Sequence, residues 1–285
     1  HKIIKSISID NISDVYHEIE SQEYDLLVIG KPSKLGNDLV QIIEHAENQG
    51  LRVNVALDFA TSLKNQISIN YIDKIPFITI RNEPLKYLHN RIIKRIFDLV
   101  AALLTFIFFF WWFYLIVGFI IKLTSKGPVI FKQKRTGINK KIFQCYKFRT
   151  MYCENNTNEI TKKNDHRITL IGKFLRRTNL DELPQILNVI KGEMSIVGPR
   201  PYMVEEDMKI RKKIQNYMVR QFVKPGITGW AAINGHRGGT YDLYKMGTRT
   251  HYDIFYIEHW SVWFDIEIIS KTILQMLLFK IPNAY

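Results

Sequence analysis

Residues 99–121 contain no charged side chain, and only Thr105, Tyr114 and Gly118 interrupt the run of aliphatic and aromatic residues. At about 1.5 Å per helical residue, such a run is long enough to cross a hydrocarbon core of roughly 30 Å. Only a very large soluble protein could bury it, so a membrane helix is the expectation. The flanks constrain its topology. Arg91, Lys94 and Arg95 precede the run, and Lys122, Lys126, Lys132, Lys134 and Arg135 follow it. A helix that simply crosses a bilayer carries its basic bias on the cytoplasmic side only. Basic flanks at both ends therefore predict that both ends face the cytoplasm, as in a re-entrant hairpin.

This run divides the chain into residues 1–90, residues 91–126 with the helix and its flanks, and residues 127–285. In the first part, residues 3–9 and 24–30 read as buried strands and residues 51–57 alternate like a third. Between them, Leu35, Leu39, Ile42, Ile43 and Ala46 have helical spacing. Strands interleaved with helices imply a parallel, Rossmann-like module. The turn Lys31-Pro-Ser-Lys-Leu-Gly36 lacks the closely spaced glycines that bring a pyrophosphate onto backbone amides. A structural or regulatory module is thus favoured over a cofactor-binding one. The chain enters this module directly from His1 with no signal peptide, and reads as a piece of a longer protein.

Forty Lys and Arg against 27 Asp and Glu leave a formal charge of +13. That balance favours nucleic acid, anionic lipid or phosphorylated substrates. The basic residues flank the membrane element and no nucleic-acid-binding motif is visible, so nucleic acid is not expected as a partner. Cys145 and Cys153 lack metal-ligand spacing and could form one bond at most, which fits a reducing, cytosolic setting.

The third part reads as a small mixed α/β domain with amphipathic helices at the membrane interface. Residues 127–134 and 141–151 form two strand-like runs around Gly137-Ile-Asn139, a hairpin that places Arg149 near a strand end. Residues 153–166 are polar and Asn-rich, hence a loop. Residues 204–222 show roughly helical spacing (Val204, Met208, Ile214, Met218, Phe222) among basic side chains, as in a solvated helix or one lying on anionic lipid. Residues 260–279 combine an aromatic start with an apolar face, which suits the interface.

Chemistry is expected at Asp181-Glu182. Leu183, Ile186, Leu187 and Ile190 predict a helix, and Pro184 is acceptable only in its first turn. The two carboxylates then sit at a helix N-terminus, where free amides favour ionised acids and also phosphoryl groups. Adjacent helical positions diverge by about 100°, so one acid can attack while the other holds a metal. An acidic helix cap with no chemistry is the plainer alternative. Arg176, Arg177, Asp165-His-Arg167 and the rigid Gly198-Pro-Arg-Pro201 loop surround the pair, and arginines around carboxylates suit phosphate substrates. The glycines of Lys224-Pro-Gly-Ile-Thr-Gly-Trp230 serve either turns or close approach to a ligand.

Lys147-Phe-Arg-Thr-Met151, Leu180-Asp-Glu-Leu-Pro-Gln185, Gly192-Glu-Met-Ser-Ile-Val-Gly-Pro-Arg-Pro201, Lys224-Pro-Gly-Ile-Thr-Gly-Trp230 and Tyr256-Ile-Glu-His-Trp-Ser-Val-Trp263 occur in this order. Together they resemble the bacterial sugar transferases, the monotopic polyprenyl-phosphate phosphoglycosyl transferases. The resemblance covers residues 91–279, and the module in front resembles that of the larger, multi-domain members. It implies transfer of a hexose 1-phosphate from a UDP-sugar to undecaprenyl phosphate with release of UMP. This step would initiate exopolysaccharide, capsule or O-antigen assembly at the cytoplasmic face of the bacterial inner membrane. Carried over residue by residue, Asp181 is the nucleophile of a covalent phosphosugar intermediate and Glu182 its Mg²⁺-binding partner, while Arg176 and Arg200 hold phosphates. Asp253 matches a further acidic position. Arg149, Asp165, Arg167, Pro199, Pro201, Lys224 and Gly226 complete the candidate substrate-binding set.

Two departures stand out. Family members carry a Ser-Pro pair midway through the membrane helix, which breaks it; here that region reads Phe108-Phe-Phe-Trp-Trp-Phe113. Ala232 stands where a Gln is usual. The Gly238-Gly239 pair and residues 246–256 look closest to glucose-initiating members, with galactose-type initiators as near relatives. The rival reading is a non-enzymatic, membrane-bound regulatory or scaffolding protein that binds acidic partners. Both readings leave room for a homo-oligomer.

Overall fold

A computed structural model describes residues 12–21, 24–30, 35–36, 38–56, 68–72, 75–79, 81–152, 165–236 and 242–278. The strand expected at 3–9, most of the turn after Gly30, most of the 153–166 loop and Gly238-Gly239 lie outside them. The chain is mixed α/β and mostly helical.

Near the N-terminus come α1 (Ile12–Glu20), β1 (Leu26–Ile29), α2 (Asp38–Asn48), β2 (Arg52–Ala56), β3 (Ser68–Ile72) and β4 (Ile75–Thr79). They form one four-stranded sheet in the order β1-β2-β4-β3. β1 and β2 are parallel, Leu26 opposite Arg52, with α2 as the crossover that a parallel pair requires. β4 runs antiparallel to both β2 and β3. The two expected strands that are described, β1 and β2, are thus parallel; among the described residues the added strands β3 and β4 are antiparallel, the link from Ile72 to Ile75 being too short for a crossover. Ile29, Leu39, Ile42, Ala46, Leu51 and Val55 are buried together as its core, on the apolar positions the helical and strand spacing marked.

The uncharged run is part of one continuous helical stretch, Leu88–Thr124. It comprises α3 (Leu88–Thr105), a π-helical turn (Phe106–Phe110) and α4 (Trp111–Thr124). Without a proline nothing breaks the backbone, which stays right-handed helical at Phe106 and Phe110. The irregularity is a widened turn instead. Rings stack along it, Phe106 on Phe110 at 5.4 Å and Phe109 on Phe113 at 5.2 Å.

One face of this stretch, with Asp98, Ala102, Phe110, Val117 and Ile121, is buried, while Ile96, Ile107, Trp111, Leu115 and Phe119 are exposed on the other. Only 17% of its most apolar window is buried, and an open apolar face of this extent calls for lipid or a partner. Both ends are tied to the globular part that follows. Arg95 donates to Val189 O (2.6 Å) and Ile190 O (2.8 Å). Arg149 donates to Ser125 O and Lys126 O, both at 2.8 Å. At the first end Lys94 bridges Asp98 (3.2 Å) and Asp265 (2.8 Å), and Asp98 also accepts from Ser195 Oγ (2.9 Å).

The globular part opens with the hairpin β5 (Ile130–Thr136) and β6 (Ile142–Phe148), antiparallel with Ile130 opposite Phe148. Its turn uses two successive left-handed residues, Asn139 at φ 49° and Lys140 at φ 61°. Then come α5 (Leu170–Thr178), a 3₁₀ turn (Leu180–Gln185), α6 (Ile186–Lys191) and β7 (Ser195–Val197). α7 (Val204–Ile210), a second 3₁₀ turn (Tyr217–Phe222), β8 (Gly226–Thr228), α8 (Trp230–Ile233), α9 (Leu243–Glu258) and α10 (Val262–Leu277) complete it.

Two expectations change here. Residues 204–222 are not one surface helix: α7 stops at Ile210, and Tyr217 to Phe222 are all buried, so the apolar spacing belonged to core rather than to lipid. Trp260 is buried too, its indole donating to Asp265 at 3.1 Å instead of resting among headgroups. The exposed apolar residues of α10 are Trp263, Ile266, Ile273, Leu274 and Leu277.

Candidate active site

α5 is capped by Thr169, whose hydroxyl accepts from Gly172 N at 3.0 Å, and it ends at Asn179 in the left-handed conformation. The chain then turns into the 3₁₀ segment that carries Asp181 and Glu182. Pro184 lies inside this segment, and the α-helix starts only at Ile186. The acids thus occupy the first turn of a 3₁₀ helix, not of an α-helix. Pro184 lacks an amide to donate, and the tighter winding carries it ahead of the regular helix.

Asp181 and Glu182 are 8% and 7% exposed. Their surroundings differ. Glu182 Oε1 accepts from Lys147 Nζ (2.7 Å) and Arg200 Nη2 (2.6 Å), and Oε2 accepts from Arg200 Nη1 (3.0 Å). Burial opposes its charge, but Arg200 and Lys147 outweigh burial and hold the carboxyl well below the usual range. Among the described residues no hydrogen bond or ion pair reaches the Asp181 carboxylate. Burial, reinforced by Glu182 and only partly offset by Lys147, Arg176 and Arg200, pushes its pKa up to about 6. Of two adjacent acids, one is a locked anion and the other keeps its lone pairs open beside a cluster of cations. The open one can act as a nucleophile, and the cations suit a phosphate.

The other candidates sort by what they touch. Arg176 Nε donates to Thr150 Oγ1 at 2.8 Å from the last turn of α5. Arg200 grips Glu182 from the loop Pro199-Arg200-Pro201, and Arg135 donates to Pro201 O. Asp165 and Arg167 pair with each other at 2.6 Å. Arg149 ties the hairpin to the end of the apolar helix, as described above. Gly226 is a packing position: a Cβ there would lie 2.1 Å from Gly198 N, which explains glycine in both loops without a ligand. Lys224 faces Gly192 and Arg95 at the far end of α6, where burial and Arg95 lower its pKa. Asp253 pairs with Arg220 at 2.7 Å, and Arg220 donates to Arg200 O at 2.8 Å, so Asp253 reaches the acids through two arginines.

Lys147 and Arg220 were absent from the candidate set. Lys147 lies on β6 two residues before Arg149, in the same Lys147-Phe-Arg-Thr-Met151 motif, and that shared motif was the available signal. Arg220 follows a run of basic residues and nothing local distinguishes it.

Among the described residues no group of three or more His, Cys, Asp or Glu could hold a metal. Mg²⁺ commonly binds through one or two carboxylates, with waters and substrate phosphates completing its shell. The open Asp181 carboxylate with Glu182 beside it fits that pattern once a diphosphate contributes oxygens.

Residues 89–279 match the family described as bacterial sugar transferase. A UDP-glucose:undecaprenyl-phosphate glucose-1-phosphate transferase of Escherichia coli strain K12 is 46% identical over 70% of this chain and 43% of its own length. A protein of the same name from Klebsiella pneumoniae is 37% identical over 96% of this chain and 63% of its own. An undecaprenyl-phosphate galactose phosphotransferase of Salmonella typhimurium is 34% identical over 72% and 44%. The chain thus spans about half the length of the curated relatives it matches. With two thirds of the chain inside the family match and every motif of the acidic site within it, this protein belongs to the bacterial sugar transferase family.

Proposed function

We propose that this protein transfers a hexose 1-phosphate from a UDP-sugar to undecaprenyl phosphate, releasing UMP, as the first step in building an exported polysaccharide. The observation that carries the reading is the division of labour at the acidic pair. Glu182 is spoken for by Lys147 and Arg200, and the Asp181 carboxylate beside it is open. An Asp181 oxygen attacks the phosphorus that bears the sugar, the bond from that phosphorus to the bridging oxygen breaks, and UMP departs with that oxygen. Asp181 is left as an acyl phosphate carrying the sugar. A phosphate oxygen of undecaprenyl phosphate then attacks the same phosphorus, the Asp181–phosphorus bond breaks, and the carboxylate is restored with the sugar on an undecaprenyl diphosphate. Splitting the exchange into two displacements lets two bulky partners use one site in turn. Arg176 and Arg200 hold phosphate oxygens, and Lys147 and Arg200 keep Glu182 ionised throughout. Mg²⁺ would be held by the open Asp181 carboxylate and by the little coordination that Lys147 and Arg200 leave to Glu182, with diphosphate oxygens beside them, and would neutralise diphosphate charge.

The lipid acceptor explains the apolar helix. Its two ends are anchored to the same globular part, which supports both ends lying on the cytoplasmic side, with the exposed apolar face of the unbroken helix set in the cytoplasmic leaflet of the inner membrane. Glucose is the donor sugar proposed, from the names of the first two relatives. The test is purified protein in nanodiscs with undecaprenyl phosphate, Mg²⁺ and UDP-glucose or UDP-galactose. UMP release, with a hexose phosphate trapped on the peptide bearing Asp181, is the expected result. Full turnover by Asp181→Asn would falsify the assigned nucleophile. Cysteines placed at positions 90 and 126 should both be protected from an impermeant reagent in intact cells.

A further inference from the structure

The N-terminal sheet module takes no part in the chemistry above, yet it touches the segment that carries Arg220. Arg52, at the start of β2, donates from Nη2 to Phe222 O at 3.0 Å, and its guanidinium lies over the Phe222 ring at 4.6 Å. Its Nε pairs with the buried Glu83 at 3.3 Å, which fixes the fork from the other side. Asn48 accepts from Asn216 N at the other end of the same segment. Gly50 leaves so little room that a Cβ there would meet Met218 at 3.2 Å. The second 3₁₀ turn is thus gripped by the module at both its ends and its middle.

That turn presents Arg220 to the opposite side. Its guanidinium is buried, paired with Asp253, stacked over Tyr202 at 4.4 Å, and donates to Arg200 O at 2.8 Å. Arg200 in turn holds both oxygens of Glu182. A small crevice lined by Pro199, Arg200, Pro201, Arg220 and Gln221, among others, lies beside this hydrogen bond. We propose that Arg52 is a positioning residue for the transfer reaction: through Phe222 and Arg220 it sets where Arg200 stands beside the acidic pair. The module is then a brace on the active site.

This inference rests on the transferase reading, and its test separates the two. Arg52→Ala is expected to lower kcat by up to about a hundredfold with little change in KM for undecaprenyl phosphate, the loss that a misplacement of about 1 Å can produce from far outside the reacting centre. Arg52→Lys keeps the charge and one hydrogen bond and should recover part of the loss. Arg220→Lys is expected to be slow as well, and the double variant Arg52→Ala with Arg220→Lys no slower than Arg220→Lys alone, because the two act in series. Amide exchange, read on the full chain without substrate, should quicken in Arg52→Ala at residues 217–222 and also at 198–203. If exchange at 198–203 is unchanged, or the two defects multiply, the coupling is wrong. If the unsubstituted protein transfers no sugar phosphate but exchange at 198–203 responds to Arg52, the transferase reading falls and the coupling stands.

Discussion

Replacing Asp181 by Asn is expected to abolish transfer and to stabilise the protein. Burial is the main reason that its pKa is lifted from the ordinary 3.8 to about 6. The folded state therefore binds the proton more tightly than the unfolded chain does. The resulting stability is fully present below about pH 3.8 and is lost as pH rises through about 6. At roughly 1.4 kcal/mol per pH unit, the ionised carboxylate costs about 3 kcal/mol of folding free energy near neutrality and above. Asn has nearly the same shape and cannot ionise. The variant should therefore exceed the wild type by up to about 3 kcal/mol at about pH 8, a rise of roughly 6–12 °C in melting temperature for a chain of this size. Below about pH 4 the difference should vanish. Thermal unfolding followed by tryptophan fluorescence across that pH range, with UMP release assayed on the same preparations, measures both. Equal melting temperatures at about pH 8, or a less stable variant, would refute the claim that Asp181 is held there against its electrostatic preference.

Arg200→Gln leaves Glu182 buried with Lys147 as its one remaining partner and should cost about 3–5 kcal/mol near neutral pH. The loss should narrow in acid as Glu182 takes up a proton, visible in a melting-temperature profile. Lys94→Met strands the buried Asp98 and Asp265 and should destabilise by a similar amount, with Asp265→Asn recovering part of it in denaturant titrations. Gly226→Ala drives a Cβ to 2.1 Å from Gly198 N and should lower the yield of folded protein sharply. Gly247→Ala, inside α9 with nothing within 4 Å, should gain about 1 kcal/mol, so the two glycines make a paired thermal-melt test.

Local features of the chain carried a large part of this description. The hairpin of β5 and β6 follows from two strand-like runs around Gly137-Ile-Asn139, and α2 from apolar spacing, because both depend on neighbours in sequence. For residues 204–222 the spacing left a globular core and lipid equally open, because apolar spacing marks what is buried without saying what covers it; the structure chose the core and broke the helix at Ile210. Where the Ser-Pro pair is missing the helix runs on unbroken through one widened turn, because no proline removes a backbone hydrogen bond there.

By itself, then, the sequence determined that a long uncharged helix must find an apolar environment and that Asp181-Glu182 lies among basic motifs. Those are properties of composition and short-range spacing. Only the tertiary structure decided which acid is locked and which is open. Lys147 on β6, Arg200 on a loop and Arg220 on a distant 3₁₀ turn converge on Glu182 and its gripping arginine. Electrostatic partners act over a few ångströms of space, whatever their separation along the chain.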